Sequence, residues 1–545
     1  MAPNSTNRKR GLKTVMLKNN LIKFLQDNNY DYLLVNSTNE FLVEYNEIEL
    51  NARYHLTGFS GSTGEALLNK EGEIFLFVDG RYHKQADNEA FEYVTVVKMG
   101  MGDTFLVCVN EKIQKNSKIA IVSNKISLNF YNQFSKLMSE KNVEIVPLEK
   151  DIVFNFIEEK SSKISTRIDI PLNITGKSSI EKILKIQNSL NDNQARLITN
   201  LEQIAWLLNK RSFAQNFSSS FKAKMIIEKK NYHVFYENEL DKFSKYLKTC
   251  DKLFLYTPKT LCYGDYMLIE NKSKALEFDT IEHNKAIKNE AEIEHIKSCF
   301  KKTDAVVSAV SDYVNSATSL TEQELVKFVE KEFFAQGATS LSFNTILASG
   351  KNSALAHYAT DMKTETSIQN GDLVLLDCGA YFEGGYATDI TRVFCFGEPC
   401  ELAKKVYTTV LKANLNAYNT NIKESISGFD LDSIARNIIK NANLDGFNFN
   451  HSTGHGVGIS VHEFPPSISP SELGKLKLQD GMVFTIEPGA YNPDFGGVRL
   501  ENTVYFKNNQ IKSFSKMRFE EKLIDYSLLN EQEKNWLKQW QSEAI

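Results

Sequence analysis

Five residues able to bind a cation, Asp377, Asp389, His455, Glu487 and Glu501, follow one another on apolar, glycine-punctuated stretches, and they constrain this chain more than any other feature. An ionised carboxylate on a half-buried strand is costly unless a cation faces it. These stretches must therefore converge. Leu373 to Arg392 reads as two β-rich runs around Glu383-Gly384-Gly385, a turn composition. With the turn centred near Glu383, antiparallel pairing sets Asp377 and Asp389 directly opposite each other on one face. His451-Ser-Thr-Gly-His-Gly-Val-Gly458 has too many glycines for a helix and lets backbone approach a site closely, offering His455 and His451. Phe484 to Ala490 ends a strand in a Pro-Gly turn and Gly496 to Phe506 resumes one, so Glu487 and Glu501 are expected to face each other. Four carboxylates and one imidazole make a hard, oxygen-rich set suited to Mn²⁺ or a similar divalent ion. Four negative charges exceed what one such ion neutralises, which argues for two ions bridged by carboxylates.

The segments Asp377-Cys-Gly379, Thr388-Asp-Ile-Thr-Arg392, His451 to Gly458, Val461-His-Glu463, Glu487-Pro-Gly489 and Val498-Arg-Leu-Glu-Asn502 occur in that order. The series resembles the signature of the Xaa-Pro aminopeptidases (aminopeptidase P), within the pita-bread metallopeptidases. The resemblance implies two Mn²⁺ ions, or other divalent ions, held by Asp377, Asp389, His455, Glu487 and Glu501, with Asp389 and Glu501 bridging and a shared water of lowered pKa attacking the peptide. It implies that His357, in Ala354-Leu-Ala-His-Tyr358, and His462 contact the substrate or the developing tetrahedral centre; as a separate hypothesis about the chemistry, Glu487 also handles the proton. Asp79-Gly-Arg81-Tyr82 is similar to a strand end of the same family, which would let Arg81 reach the peptide; a surface salt bridge is the competing reading. The implied substrates are peptides with proline second, cut before that proline. Prolidase, which cuts Xaa-Pro dipeptides with nearly the same ligands, is the alternative enzyme, and a pita-bread interaction module that has lost its ligands is the alternative non-enzyme. The long N-terminal region favours the aminopeptidase, and the complete ligand set disfavours the module. One departure stands out: Asp377 and Asp389 are one residue further apart than is usual for the family; the Gly384-Gly385-Tyr386 turn region can absorb the extra residue, but the facing of Asp377 or Asp389 then depends on a bulge.

The expected fold is α/β and α+β: a creatinase-like N-terminal α/β domain over 12–157, a middle α/β domain over 173–284 and a pita-bread catalytic domain over 285–545. An amphipathic helix around Met16 to Gln26 precedes β-rich runs at Tyr32 to Val35, Arg53 to Gly61, Gly64 to Leu68 and Ile74 to Tyr82, then a helix from Gln85 to Phe91. The Gly-Ser repeats of Gly58 to Gly64 fail as a phosphate loop, because no Lys-Ser/Thr follows. Residues 158–175 lose apolar periodicity and mark a border. The middle domain, with helices over Ile180 to Leu190 and Leu201 to Leu208 and strands at Met225, Tyr232 and Lys252, echoes the first and shows no chemistry. In the third, a long amphipathic helix starts at Asn289 and a second at Thr321, where Thr321 and Glu324 form a capping-box pattern. Helices on one face of curved strands, with ligands projecting from the other, are expected to build the site.

The chain of 545 residues is 42% hydrophobic, ample for several cores, and its formal charge of -4 advertises no surface for nucleic acid. Seven cysteines without a CxxC pair suit a reducing compartment, and Cys378 reads as packing. No stretch approaches the roughly 20 apolar residues of a membrane span, and no apolar run follows Arg8-Lys-Arg10. A cytoplasmic homodimer acting on peptides, without membrane or nucleic-acid partners, is expected. His451 reads as a donor behind the ligands or as a functional contact, Arg499 as an anchor for a ligand or as a substrate contact, and Tyr386 and Tyr491 as packing aromatics.

Overall fold

The computed structural model describes residues 5–544 apart from Arg81, Met101, 158–164 and Lys363. The expectation at Arg81, and part of the border expected over 158–175, lie outside these residues. The chain divides into two compact units, one of Met1–Ser165, Lys182–Ile204 and Lys222–Phe278, the other of Thr166–Glu181, Ala205–Phe221 and Asp279–Ile545.

The first unit holds two sheets. In one, β1 (Tyr32–Val35), β2 (Glu65–Asn69), β3 (Ile74–Val78), β4 (Val94–Lys98), β5 (Lys118–Val122) and β6 (Glu144–Leu148) lie in the order β4-β3-β2-β1-β5-β6. β2 runs antiparallel to both β1 and β3, while β5 is parallel to β1 and β6. Side chains alternate between two cores, as the period of a strand requires. Leu33, Val35, Ala66 and Leu68 meet Leu17, Leu21 and Leu25 of the helix Ser5–Asp27, whereas Leu34, Leu67, Phe77 and Ile121 meet Phe134 and Met138 of Leu128–Glu140. The second sheet, β7 (Gln194–Ile198), β8 (Ala223–Glu228), β9 (Tyr232–Tyr236), β10 (Leu253–Tyr256) and β11 (Ser273–Ala275), has the order β9-β8-β7-β10-β11. Its antiparallel and parallel pairings repeat those of the first sheet without the outer strand β4.

One stretch departs from expectation. Arg53 to Gly61 is not extended: Ala52–Thr57 is a helix, started by Asn51, whose side chain accepts from the Tyr54 N–H, and ended by Gly58 at φ 82°. The helix also gives the buried Arg53 its partners. A fully buried guanidinium needs acceptors, and the helix turns this one onto the carbonyls of Thr63, at 2.9 Å, and Gly61.

In the second unit, α1 (Glu290–Ser316) and α2 (Glu322–Ala335) both begin with reciprocal capping boxes, at Asn289 with Glu292 and at Thr321 with Glu324. Three strands follow as one sheet, β12 (Ile346–Ser349), β13 (Leu373–Cys378) and β14 (Ile390–Cys395), then α3 (Glu401–Tyr418) and α4 (Gly428–Asn441). A five-stranded sheet takes the order β16-β15-β17-β20-β21, from β15 (Gly454–Gly456), β16 (Glu463–Ile468), β17 (Val483–Ile486), β20 (Asn502–Lys507) and β21 (Gln510–Ser513); β18 (Gly489–Asn492) and β19 (Gly496–Arg499) form a ribbon between β17 and β20 in sequence.

Helices do not cover a single face of these strands, as expected, but both. Leu373 and Leu375 of β13 pack into the cluster of Val406, Tyr407 and Val410 from α3, and Val374 and Leu376 into that of Val307, Val310 and Val314 from α1. A continuous apolar run, not an alternating one, is what a strand buried on both sides requires, and each such side chain stabilises by about 1.5–3 kcal/mol. Asp377 continues the Leu373-Leu375 face. The site is therefore cut into the α3 core and not laid on an open surface.

Candidate metal centre

The first hairpin carries the aspartates. β13 and β14 pair Asp377 with Thr391 and Cys378 with Ile390, and the register continues to Tyr381 and Ala387. The turn is thus centred at Gly384, not Glu383. Asp389 faces Gly379 and stands diagonal to Asp377 instead of opposite it, on the same face. No bulge is used: against a turn centred at Glu383 the centre moves by one position and the register by two, which keeps both side chains on one face. The turn needs φ values of 90° at Gly384 and 66° at Gly385, and at Gly379 a Cβ would lie 1.9 Å from the Thr388 carbonyl oxygen.

The second hairpin carries the glutamates. Ile486 pairs with Asn502 and Gly489 with Arg499, so Glu487 and Glu501 occupy facing positions between the two ladders, as expected. Asn414 of α3 spans this junction, donating to the carbonyls of Ile486 at 3.0 Å and Leu500 at 2.9 Å. Arg392, buried on β14, donates to Glu501 O at 2.7 Å and to Asn502 Oδ1 at 2.9 Å and so ties the two hairpins together. His455 enters from β15, next to β17; at Gly454 a Cβ would lie 2.0 Å from the Thr485 carbonyl oxygen.

The five residues converge. Ligand atoms of Asp389, His455 and Glu501 all lie within 4.8 Å of one another. His455 Nε2 is 3.6 Å from Asp389 Oδ2 and 3.5 Å from Glu487 Oε1. Asp377 is joined through Arg499, whose Nη2 donates to Asp377 Oδ2 at 2.6 Å. Its other oxygen, Oδ1, is buried without a hydrogen-bond partner among the described residues. Four carboxylates against one guanidinium leave an excess of negative charge beyond a single divalent cation. Burial raises Asp389 and Glu501 well above the usual carboxylate range; Glu501 and Asp377 push Asp389 further, and Glu487 and Asp377 push Glu501. Burial lifts Glu487 to about 7 despite Arg499, with Asp377 adding to the rise. Such groups resist ionising together unless cations sit among them, and an orphaned carboxylate oxygen in a set of hard donors fits divalent ions.

Behind the ligands stands a shell of donors. Thr391 Oγ1 donates to Glu501 Oε2 at 2.8 Å and accepts from Arg499 Nε at 3.2 Å. Arg499 Nη1 donates to the Tyr491 hydroxyl at 2.9 Å, which lies 2.7 Å from His451 Nε2. Of the two readings of Arg499, the geometry is that of the anchor: the residue is 2% exposed and all three guanidinium nitrogens meet protein oxygens. Tyr491 and Tyr386, read as packing aromatics, both carry polar duties: Tyr386 is fully buried and donates to Glu292 Oε1 at 2.9 Å. A tyrosine's periodicity cannot reveal what its hydroxyl meets. Cys378 is buried in the α1 core, on the opposite face from the aspartates.

His462 lies on a bend before β16 and not within a strand, exposed, with its ring 4.6 Å from that of His455 at an interplanar angle of 85°. His357 follows a short helical turn, Gly350–Ala354, that reaches the second hairpin through Ser353 Oγ, which accepts from the Gly497 N–H at 2.8 Å.

Residues 294–508 match metallopeptidase family M24. Over 297 residues the chain is 37% identical to the Xaa-Pro dipeptidase of Pyrococcus horikoshii, covering 54% of this chain and 81% of that protein. The chain belongs to metallopeptidase family M24. Ahead of its M24 part, residues 18–153 and 159–253 each match the creatinase/prolidase N-terminal domain, so two creatinase-type α/β domains precede a pita-bread domain. Xaa-Pro aminopeptidase 1 of Dictyostelium discoideum is 28% identical over 578 residues, 95% of this chain and 91% of that protein. The crystal structure of X-prolyl aminopeptidase from Caenorhabditis elegans, described as a cytosolic enzyme with a di-nuclear active site, superposes with a TM-score of 0.85 at 25% identity, covering 94% of this chain and 91% of that one. No helix among the described residues is long and apolar enough to cross a membrane.

Proposed function

We propose that this M24 protein is a metallo-aminopeptidase that removes the N-terminal residue from peptides with proline in second place. The observation that carries the reading is agreement along nearly the whole chain with aminopeptidases of that specificity, combined with convergence of all five expected ligands. The dipeptidase of P. horikoshii, more similar in sequence but over only 54% of the chain, supports the second reading, an Xaa-Pro dipeptidase.

Asp377, Asp389, His455, Glu487 and Glu501 would hold two divalent ions, which we assign as Mn²⁺ from the oxygen-rich donors. Ions bound there supply an activated water and polarise the scissile carbonyl. The chain's own residues do the rest. Arg499 holds Asp377 in one orientation and Thr391 holds Glu501, which orients both carboxylates toward the site. Glu487, its side chain 15% exposed beside His455, is assigned to pass a proton to the departing amine. His462, exposed beside His455, and His357 are assigned to the carbonyl oxygen and the peptide backbone. Proline's nitrogen carries no hydrogen once acylated and its φ is preset, so an apolar pocket can accept it where another residue would leave an N–H unpaired. Domains over 12–157, 173–284 and 285–545, a contact from Arg81, a homodimer and a cytoplasmic location complete the proposal; the cytosolic description of the C. elegans relative supports the last.

The test compares longer peptides beginning Xaa-Pro with Xaa-Pro dipeptides and with peptides carrying alanine second, with metal measured on the same preparation. Longer Xaa-Pro peptides should be cut at least as well as dipeptides, with about two ions per chain. Strong preference for dipeptides moves the assignment to the dipeptidase, equal cleavage of alanine-second peptides ends proline specificity, and full activity with one ion ends the dinuclear reading.

A further inference from the structure

His462 has a demanding place. It sits exposed on the bend of residues 459–463 that joins β15 to β16, yet its ring must stay against His455 to be of use. The next residue, Glu463, has a side chain that is 1% exposed. Its Oε1 is 2.8 Å from Lys285 Nζ and its Oε2 is 2.9 Å from Lys288 Nζ, with both lysine side chains 3% exposed. Oε1 also accepts from the Ile459 N–H at 2.7 Å, so one carboxylate joins the two ends of the bend that carries His462. Space for it depends on Gly458, where a Cβ would lie 2.4 Å from Glu463 Oε2.

The clamp is itself anchored. The Lys288 N–H donates to Gly481 O at 2.8 Å and Ile287 bridges to Met482, just before β17, the strand that leads to Glu487. Lys285 belongs to the helix Thr280–Ala286. Ser219 Oγ lies 2.9 Å from Ile459 O and 2.6 Å from Gly385 O, linking the same bend to the turn between the aspartates. Burial alone would raise the Glu463 carboxyl, but the two ammonium groups override it and hold it down to about 2. Taking three charges out of water is expensive, and a single lysine would have neutralised the carboxylate. Such an arrangement makes physical sense where geometry matters more than stability.

We propose that Glu463, clamped between Lys285 and Lys288, is a positioning residue for His462, fixing the bend so that the imidazole stands against His455 and the carboxylate cluster. The inference rests on the reading of His462 as the group that works on the scissile carbonyl. Displacing such a group by on the order of 1 Å can cost ~100-fold in rate, with little effect on substrate binding.

A double-mutant cycle in the manganese-loaded enzyme tests it, with kcat and KM on an Xaa-Pro peptide, metal content and Tm measured for Glu463→Gln, His462→Ala and both together. Glu463→Gln should lower kcat by roughly 10- to 100-fold, with KM within about threefold and metal content unchanged, and should cost less than about threefold in the His462→Ala background. Lys288→Met, which leaves the neutral pair of Lys285 and Glu463, serves if Glu463→Gln does not fold, and should show the same loss of effect beside His462→Ala. Equal losses in both backgrounds, or an unchanged kcat, overturn the clamp alone when His462→Ala is itself strongly impaired. A fully active His462→Ala overturns the reading of His462 and the clamp together.

Discussion

Two hairpins supply carboxylates to one site, and they do so differently. In the glutamate hairpin Glu487 and Glu501 face each other between two regular ladders, braced from behind by the Asn414 amide. In the aspartate hairpin Asp377 and Asp389 stand diagonal, and Arg499 grips Asp377. Facing carboxylates repel most, and the protein puts that pair where the partner hairpin's Thr391 can donate to Glu501. The staggered pair is already spaced, so it needs orientation more than relief. Strand parity, and not direct opposition, is thus the requirement: either register delivers both side chains to one face.

Four measurements would break or sharpen this contrast. Glu501→Ala or Asp389→Ala should abolish bound metal and lower kcat/KM by roughly a thousandfold or more, since each lies in the tightest part of the cluster; retained metal with lost activity would remove that residue from the ligand set. Arg499→Met should weaken metal binding or activity by about 10- to 100-fold, chiefly by releasing Asp377. Metal titrations showing no change would mean that Asp377 needs no anchor and that the two hairpins are equivalent.

The third concerns pH in the metal-free protein. Burial lifts Glu487 from its ordinary value near 4.5 to about 7, and Asp389 and Glu501 shift in the same direction. The folded state therefore binds more protons than the unfolded one between these values, and stability falls as pH rises through that window. Metal-free protein should melt at a higher temperature near pH 5.5 than near pH 7.5, and the gain in Tm on adding Mn²⁺ should be larger at the higher pH. A metal-free Tm that climbs from pH 5.5 to 7.5 would contradict the crowding of carboxylates. The smallest effect is expected for Tyr491→Phe, which removes a hydroxyl between Arg499 and His451: within about tenfold in activity, with Arg499 still on Asp377. A loss as large as that of Arg499→Met would make the tyrosine part of the anchor.

Much of the second unit was legible in the chain. The capping residues Asn289 and Thr321 start their helices where the spacing predicts, and Glu487 faces Glu501 as the turn residues imply. The aspartate turn was misjudged by one position, because Glu383-Gly384-Gly385 is compatible with more than one centre and only the φ values at Gly384 and Gly385 choose. The helix at Ala52–Thr57 has local signals, the Asn51 cap and the closing Gly58, but six residues are too few to set a helical period against the β-rich neighbours. The roles of Tyr386, Tyr491 and Glu463 were missed for a different reason. Each is decided by a partner far along the chain, Glu292, Arg499 and the two lysines.

By itself the sequence determined the ligand types, their order, the two-residue strand period that puts each pair on one face, and the family. Those follow from chemistry and spacing within short segments. That the aspartates stagger, which carboxylates are held by Arg499 and Thr391, that helices cover both faces of β13, and that two buried lysines grip Glu463 were decided only by tertiary structure. The reason is physical: burial and electrostatic coupling depend on which distant segments share a volume, and no local pattern records that.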